Sequence, residues 1–199
     1  MRTDYKLDMT MMYAFHDALR RDLQQVGTME ARSDGWDLFE MLLHLHHTVE
    51  DDSLWPVVRD AVEGRPDDLR LLDEMATEHA AIPPLLEAIT AALASGSSAP
   101  EARAELAAKL AEHLTHEENA TLPLIDATLT EEQWMTFGMT ATQRVGPNMP
   151  KFLPWLLDGA DDDMTARVLA IVPPPVADTY RAEWQPAYAA QDWWAVAPT

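Results

Sequence analysis

Two segments 67 positions apart set the strongest limit on what this chain can fold into. HHTVEDDSLWP (residues 46–56) and HLTHEENATLP (residues 113–123) each place a glutamate four residues after a histidine, and a proline six residues after that glutamate. His46 overlays His113, Glu50 overlays Glu117, and Pro56 overlays Pro123. Residues four apart on an α-helix differ by only about 40° around its axis, so each pair turns an imidazole and a carboxylate to the same side. Both pairs interrupt apolar stripes, where an uncompensated carboxylate is expensive. The chain must therefore bring helices together around a shared polar centre.

The stripes themselves define four amphipathic helices. Leu7, Met11, Phe15, Leu19 and Leu23 form the first, ending near Gly27. A second begins with Ser33 or Asp34 as N-cap and carries Trp36, Phe39, Leu43, His46, Glu50, Leu54 and Val57, stopping around residues 64–66. The third runs from about Asp67 through Leu72, Met75, His79, Ile82, Leu86, Ile89 and Leu93, and Pro83-Pro84 predicts a bend just after His79. Ser98 and Glu101 suggest a capping box for the fourth, which continues through Leu106, Leu110, His113, Glu117 and Leu124. Short links make neighbours antiparallel, so the expected fold is all-α, an up-down-up-down four-helix bundle. Beyond Thr130 five of the seven tryptophans gather among many prolines, which predicts further short helices packed on the bundle. We expect residues 1–129 to form the bundle and residues 130–199 a helical Trp- and Pro-rich extension.

Each half of the bundle offers one more histidine on its inward stripe: His16 in the first and His79 in the second. The candidate metal set is then His16, His46, Glu50, His79, His113 and Glu117, arranged about a pseudo-twofold axis. Six nitrogen and oxygen donors are too many for one tetrahedral zinc ion, and two close carboxylates repel unless cations or protons compensate them. A pair of divalent ions suits the set, with iron, manganese or zinc as the choices open to imidazole and carboxylate ligands.

The pattern H, HxxxE, H, HxxxE on four helices resembles the hemerythrin-like, or HHE cation-binding, family over roughly residues 10 to 127. That resemblance implies a non-haem di-iron cofactor bridged by carboxylates and an oxo or hydroxo group. It makes His16 and His46 terminal ligands of one iron, His79 and His113 of the other, with Glu50 and Glu117 bridging. The oxygen-carrying hemerythrins place another histidine four residues after the third-helix ligand, whereas position 83 here is proline. The chain is instead similar to the His4Glu2 subset, which includes the F-box iron-sensor domain and actinobacterial hemerythrin-like proteins. The function implied is binding of, or reaction with, dioxygen, peroxide or nitric oxide, with peroxidase-, catalase- or oxygenase-like turnover as the enzymatic form. An oxygen-binding or iron-sensing module without turnover is the alternative, and a metal-free interaction scaffold the third.

Composition narrows the setting. The net charge of −20 repels polyanions, so nucleic acid is not an expected partner. No apolar run is long enough for a membrane span, and no cysteine is present to form disulfides or thiolate ligands. A cytoplasmic monomer or homodimer is expected. Of the remaining polar residues, His44, His47 and His116 are not required by the repeat, although His47 is the best placed to support or replace a ligand. Asp51, Asp52 and Glu118 are expected on solvated faces, and Glu78 to point away from the centre because a helix turns about 100° per residue. Tyr13 is read as a helix-surface phenol. Met9, Met11, Met12, Met41 and Met75 are read as packing.

Overall fold

The computed structural model of the chain describes residues 5–195; residues 1–4 and 196–199, at the outer edges of the two expected segments, lie outside them. Among the described residues there are only helices and connections. The first rod of the bundle is α1 (Thr10–Thr28). The second is α2 (Asp34–Val49), a wide π turn (Glu50–Leu54) and α3 (Trp55–Ala61). The third is α4 (Pro66–Ala81) followed by α5 (Pro83–Ala94), and the fourth is α6 (Pro100–His116), a second π turn (Glu117–Thr121) and α7 (Leu122–Thr128). Links at 29–33, 62–65 and 95–99 are short, which sets the rods up, down, up, down. No helix is long and apolar enough to cross a membrane among the described residues.

Local chemistry explains the boundaries. Ser33 caps α2 by accepting the Trp36 N–H, as its position predicts. The third rod breaks where expected: Pro83 has no N–H to offer, Ile82 N–H turns back to the His79 carbonyl at 3.1 Å, and α5 restarts with proline in its first turn. The capping box expected from Ser98 and Glu101 does not form. Ala99 precedes α6 in the left-handed region (φ 45°), with Pro100 opening the helix and no side-chain cap. The ring of Pro100 disfavours helical backbone at the residue before it, which removes Ser98 from the capping position.

A polar layer divides the bundle core in two. On one side lie Phe15, Leu19, Leu42, Leu43, Ile82, Leu86, Leu110 and Leu114; on the other lie Met12, Leu54, Trp55, Leu72, Met75, Leu122 and Ile125. Each fully buried aliphatic side chain contributes about 1.5–3 kcal/mol, so both halves hold the rods against the repulsions of the layer between them. Arg103 of α6 reaches under the end of α1 and donates to the carbonyls of Val26 (3.1 Å) and Met29, a cation at a helix C-terminus.

The rest of the chain wraps this frame as α8 (Glu131–Val145), α9 (Met149–Leu157), α10 (Asp162–Ile171), α11 (Pro174–Thr179), a third π turn (Tyr180–Trp184) and α12 (Gln185–Ala189). Helices α9 and α10 pack on α1, and α8 on α2. Trp155 is buried, donates its indole N–H to Asp22 (2.6 Å) and meets Phe15 edge-on at 5.0 Å. The other four tryptophans beyond residue 130 are partly buried against the two cores.

The chain's last described turn docks at the start of α2. Gly35 N–H donates to the Trp193 carbonyl at 2.6 Å, and a Cβ at position 35 would come within 2.8 Å of that oxygen and of the Trp194 ring. Gly35→Ala should therefore expel the Trp193-Trp194 turn and cost about 1–3 kcal/mol, read as a lower urea midpoint and red-shifted tryptophan emission.

Candidate metal centre

The polar layer is built from one side chain of the first rod, three of the second, one of the third and two of the fourth. His16, His46, His47, Glu50, His79, His113 and Glu117 are all buried, the two glutamates completely. The six residues singled out by spacing are thus brought together, and His47 joins them. Their donor atoms fall into two groups. In one, ligand atoms of His16, His46 and Glu117 lie within 4.8 Å of one another; in the other, those of His47, His79 and His113 do.

The two glutamates span the groups. Glu50 places Oε1 3.4 Å from Nδ1 of His46 and Oε2 3.6 Å from Nε2 of His79. Glu117 places Oε2 3.1 Å from Nε2 of His16 and 3.9 Å from Nε2 of His113. Nε2 of His79 and Nε2 of His113 are 3.2 Å apart, about the separation of two ligands at right angles, each roughly 2.1 Å from one ion.

Both glutamates open a π turn. The Trp55 N–H bonds the Glu50 carbonyl five residues back, and the Leu122 N–H bonds that of Glu117 in the same way. A proline follows six residues after each glutamate, where its missing N–H falls in the first turn of the resumed α-helix. The third π turn obeys the same spacing, from Tyr180 to Pro186. Such turns widen a helix locally and are frequent at functional sites.

An outer ring of carboxylates fixes the imidazoles. His16 donates from Nδ1 to Glu118 (2.9 Å), which also receives Arg20 (2.6 Å). His79 donates from Nδ1 to Asp51 (2.8 Å). His113 donates from Nδ1 to Glu78 (2.9 Å), whose other oxygen receives His116 Nδ1 (2.8 Å). In each case the proton is held outward and Nε2 is left facing the centre, the arrangement that orients histidine ligands and raises their basicity.

These contacts correct three expectations. Asp51 is exposed as expected, and Glu118 and Glu78 are half-buried, yet none is idle: each crosses to an imidazole of another rod. Asp51 and Glu118 occupy equivalent places in the 67-residue overlay, so the repeat is HxxxE followed at once by a second acid, and that second acid was a readable signal. Glu78 carries no such mark, because its partner His113 belongs to a different helix. Asp52 does lie on the surface, paired with Arg144 at 2.8 Å, and His44 is exposed. Tyr13 meets the Tyr5 hydroxyl at 3.2 Å. Met9, Met12 and Met75 are buried core residues.

Electrostatics mark the layer as incomplete without cations. Burial pushes Glu50 well above the usual carboxylate range, and Glu117 and Asp51 push it further. Burial would also raise Glu117, but the facing imidazoles, His16 foremost, pull it down to about 2. His16 shows the reciprocal effect: burial would lower it, yet Glu117 and Glu118 hold it at about 9. Burial and the neighbouring histidines keep His46 and His47 neutral, well below 6.5. Burial raises Glu78 and Glu118, but His113 with His116, and His16 with Arg20, respectively, hold both carboxylates below their ordinary values.

The chemistry of this donor set fits divalent metal. Nε2 of His46 and His47, both carboxylate oxygens of Glu50 and Oε1 of Glu117 are buried without a hydrogen-bond partner. Buried polar atoms are almost always paired, so five orphans converging on one layer call for an electrophile there. Removing one outer carboxylate tests the arrangement. Glu78→Ala should weaken metal binding about 10–100-fold in a chelator competition while leaving the helical circular-dichroism signal intact.

Comparison with curated proteins and with solved structures gives no significant match. The model of the hemerythrin HHE cation binding domain, in contrast, matches residues 8–125, more than half of the chain and the whole span that supplies the polar layer. The chain belongs to the hemerythrin HHE cation-binding family.

Proposed function

We propose that the polar layer holds two iron ions and that the protein uses them to bind and reduce a small oxidant: dioxygen, peroxide or nitric oxide. One observation carries the reading: two separate groups of buried nitrogen and oxygen donors, spanned by Glu50 and Glu117. Cysteine-free imidazole and carboxylate ligation suits iron, and also manganese or zinc. In this reading His16 and His46 serve one ion, His79 and His113 the other, and the two glutamates bridge. Bound iron would supply the electrons.

The chain's own residues do the rest. Glu118, Asp51 and Glu78 accept from Nδ1 of His16, His79 and His113, which aims each Nε2 at the centre. Phe15 stacks on His46 at 4.5 Å and Trp55 packs near His79 at 6.0 Å, so aromatic walls exclude water from both sides of the layer. Phe152 and Trp155 of the C-terminal helices back Phe15 in turn. A water-poor surround limits the escape of reactive products.

Metal analysis of protein expressed in iron-rich medium, with an absorption spectrum of the same sample, tests the proposal. Two irons per chain with near-ultraviolet charge-transfer bands that change on adding peroxide support it; a metal-free protein overturns it. Turnover of peroxide lost in His113→Ala would mark an enzyme. Reversible spectral change without turnover would mark a binding or sensing protein.

A further inference from the structure

One tryptophan of the C-terminal helices reaches the polar layer although it contributes no donor atom to it. Trp155 of α9 meets Phe15 edge-on at 5.0 Å, and Phe15 stacks on His46 at 4.5 Å, so ring touches ring from the indole to the layer. The indole is buried and donates from Nε1 to Oδ2 of Asp22 at 2.6 Å, a carboxylate that is buried too. The other oxygen of Asp22 receives Arg21 Nε at 3.0 Å. The Arg21 guanidinium also lies over the Trp155 ring at 5.6 Å, anchored through Nη1 on the carbonyls of Trp155 (2.9 Å) and Asp158 (2.6 Å).

A buried indole N–H needs an acceptor, and a backbone carbonyl would serve. A buried carboxylate is the more expensive choice, and what it adds is the capacity to take the proton. Burial raises Asp22 above its ordinary range even though Arg21 and the indole pull it down. Trp55 supplies the contrast. It adjoins the layer directly, 6.0 Å from His79, and is also buried, but its Nε1 has no hydrogen-bond partner. An indole that loses an electron becomes strongly acidic and must shed its Nε1 proton or remain a buried cation. Trp55 has nowhere to send that proton, whereas Trp155 has Asp22. Arg21 sharpens the requirement, because its charge repels an indole cation but not the neutral radical left once the proton has moved.

We propose that Trp155 is a one-electron donor to hydrogen peroxide reacting at the polar layer, its electron crossing Phe15 and His46 and its Nε1 proton passing to Asp22, a step that rests on the iron reading above. Reduction of one peroxide to two waters takes two electrons and two protons. Where a chain holds a single ferrous ion, one electron comes from that ion and the other from the indole. The N–H bond of Trp155 breaks, an O–H bond forms on Asp22, a neutral indolyl radical stays in the core, and solvent supplies the two protons of the waters. Phe15 is a bridge and is not itself oxidised. Arg21 stays in place on its two carbonyls when Asp22 loses its charge.

Protein supplied with one ferrous ion per chain is mixed with one equivalent of hydrogen peroxide, frozen within milliseconds and read by electron paramagnetic resonance, with and without indole-deuterated tryptophan. The expected signal is a neutral tryptophan radical that narrows on deuteration, is absent in Trp155→Phe and is kept in Trp55→Phe. Asp22→Asn retains an oxygen for the indole N–H but takes no proton, so radical formation should slow by about a hundredfold. A tryptophan radical that survives Trp155→Phe, or a peroxide reaction without any tryptophan radical in the wild type, would overturn the donor role and leave the iron reading standing. A protein that binds no iron would defeat both. Should a variant not fold, peptide mass spectrometry of the wild type after repeated peroxide additions decides. Oxidised tryptophan should accumulate at Trp155 ahead of the more exposed Trp134, Trp184 and Trp193, the reverse of the order left by peroxide acting from solvent. Oxidation of the exposed tryptophans first would overturn the donor role.

Discussion

Two equivalents of zinc or ferrous iron should raise the melting temperature of the metal-free protein by roughly 15–30 °C. Free metal at a thousandfold excess over its dissociation constant stabilises a folded protein by about 4 kcal/mol per site, and each kcal/mol moves a chain of this size by about 2–4 °C. The expectation is specific to this layer because cations would neutralise Glu50 and satisfy the orphaned Nε2 atoms of His46 and His47, which have no hydrogen-bond partner otherwise. The effect should also grow with pH. His16 keeps its proton up to about 9 in the metal-free protein, and a ligating nitrogen must give that proton up. Between pH 6 and 8 apparent affinity should therefore rise at least about tenfold per unit, with matching proton release in calorimetry across buffers of different ionisation enthalpy. A melting temperature indifferent to metal and chelator would contradict the proposed function.

Glu50→Gln should shift stability in opposite directions in the two forms. Glu50 has its pKa raised above the unfolded value, so whatever it contributes to folding is present below that unfolded value and is lost as pH climbs through the folded one. At neutral or alkaline pH the metal-free protein bears the cost of a buried, crowded carboxyl group. Glutamine keeps the shape and removes the charge, so the metal-free variant should gain on the order of 2 kcal/mol by urea denaturation. The same change removes a carboxylate that faces both donor groups, so the variant should retain at most one of the two metals proposed and show little melting shift on loading. Equal destabilisation of both forms would mean that Glu50 packs rather than ligates.

Much of this architecture was legible because the physics that shapes it is local. Apolar residues at three- to four-residue steps gave the rods, and the 67-residue repeat brought His46, Glu50, His113 and Glu117 into register. What stayed hidden was what depends on a neighbouring rod. Glu78 looks misdirected on its own helical wheel, yet it answers to His113 on the fourth rod. His47 looked dispensable because it breaks the twofold pattern, and the site is asymmetric there. The π turns were foreshadowed only by the prolines, whose spacing from Glu50 and Glu117 is uniform while the bonding that it permits is not written in any single residue. The failed cap at Ser98 shows the reverse case, in which a plausible local motif loses because Pro100 bars right-handed helical backbone at Ala99 and so starts the helix one residue too late for Ser98 to cap it.

The widened turns carry a further consequence. Each accommodates one residue beyond a regular helix, and one residue is worth about 100° of rotation about the rod. Trp55 and Val58 beyond the first turn, and Leu124 and Ile125 beyond the second, therefore face inward only because of an angular offset introduced at the glutamate itself. Deleting a single position such as Ser53 would straighten the rod at the expense of its phase, swinging indole and valine toward water while Glu50 stayed in place. The half of the core that holds Trp55 and Ile125 is thus indexed to Glu50 and Glu117, and chain length between glutamate and proline works as the dial.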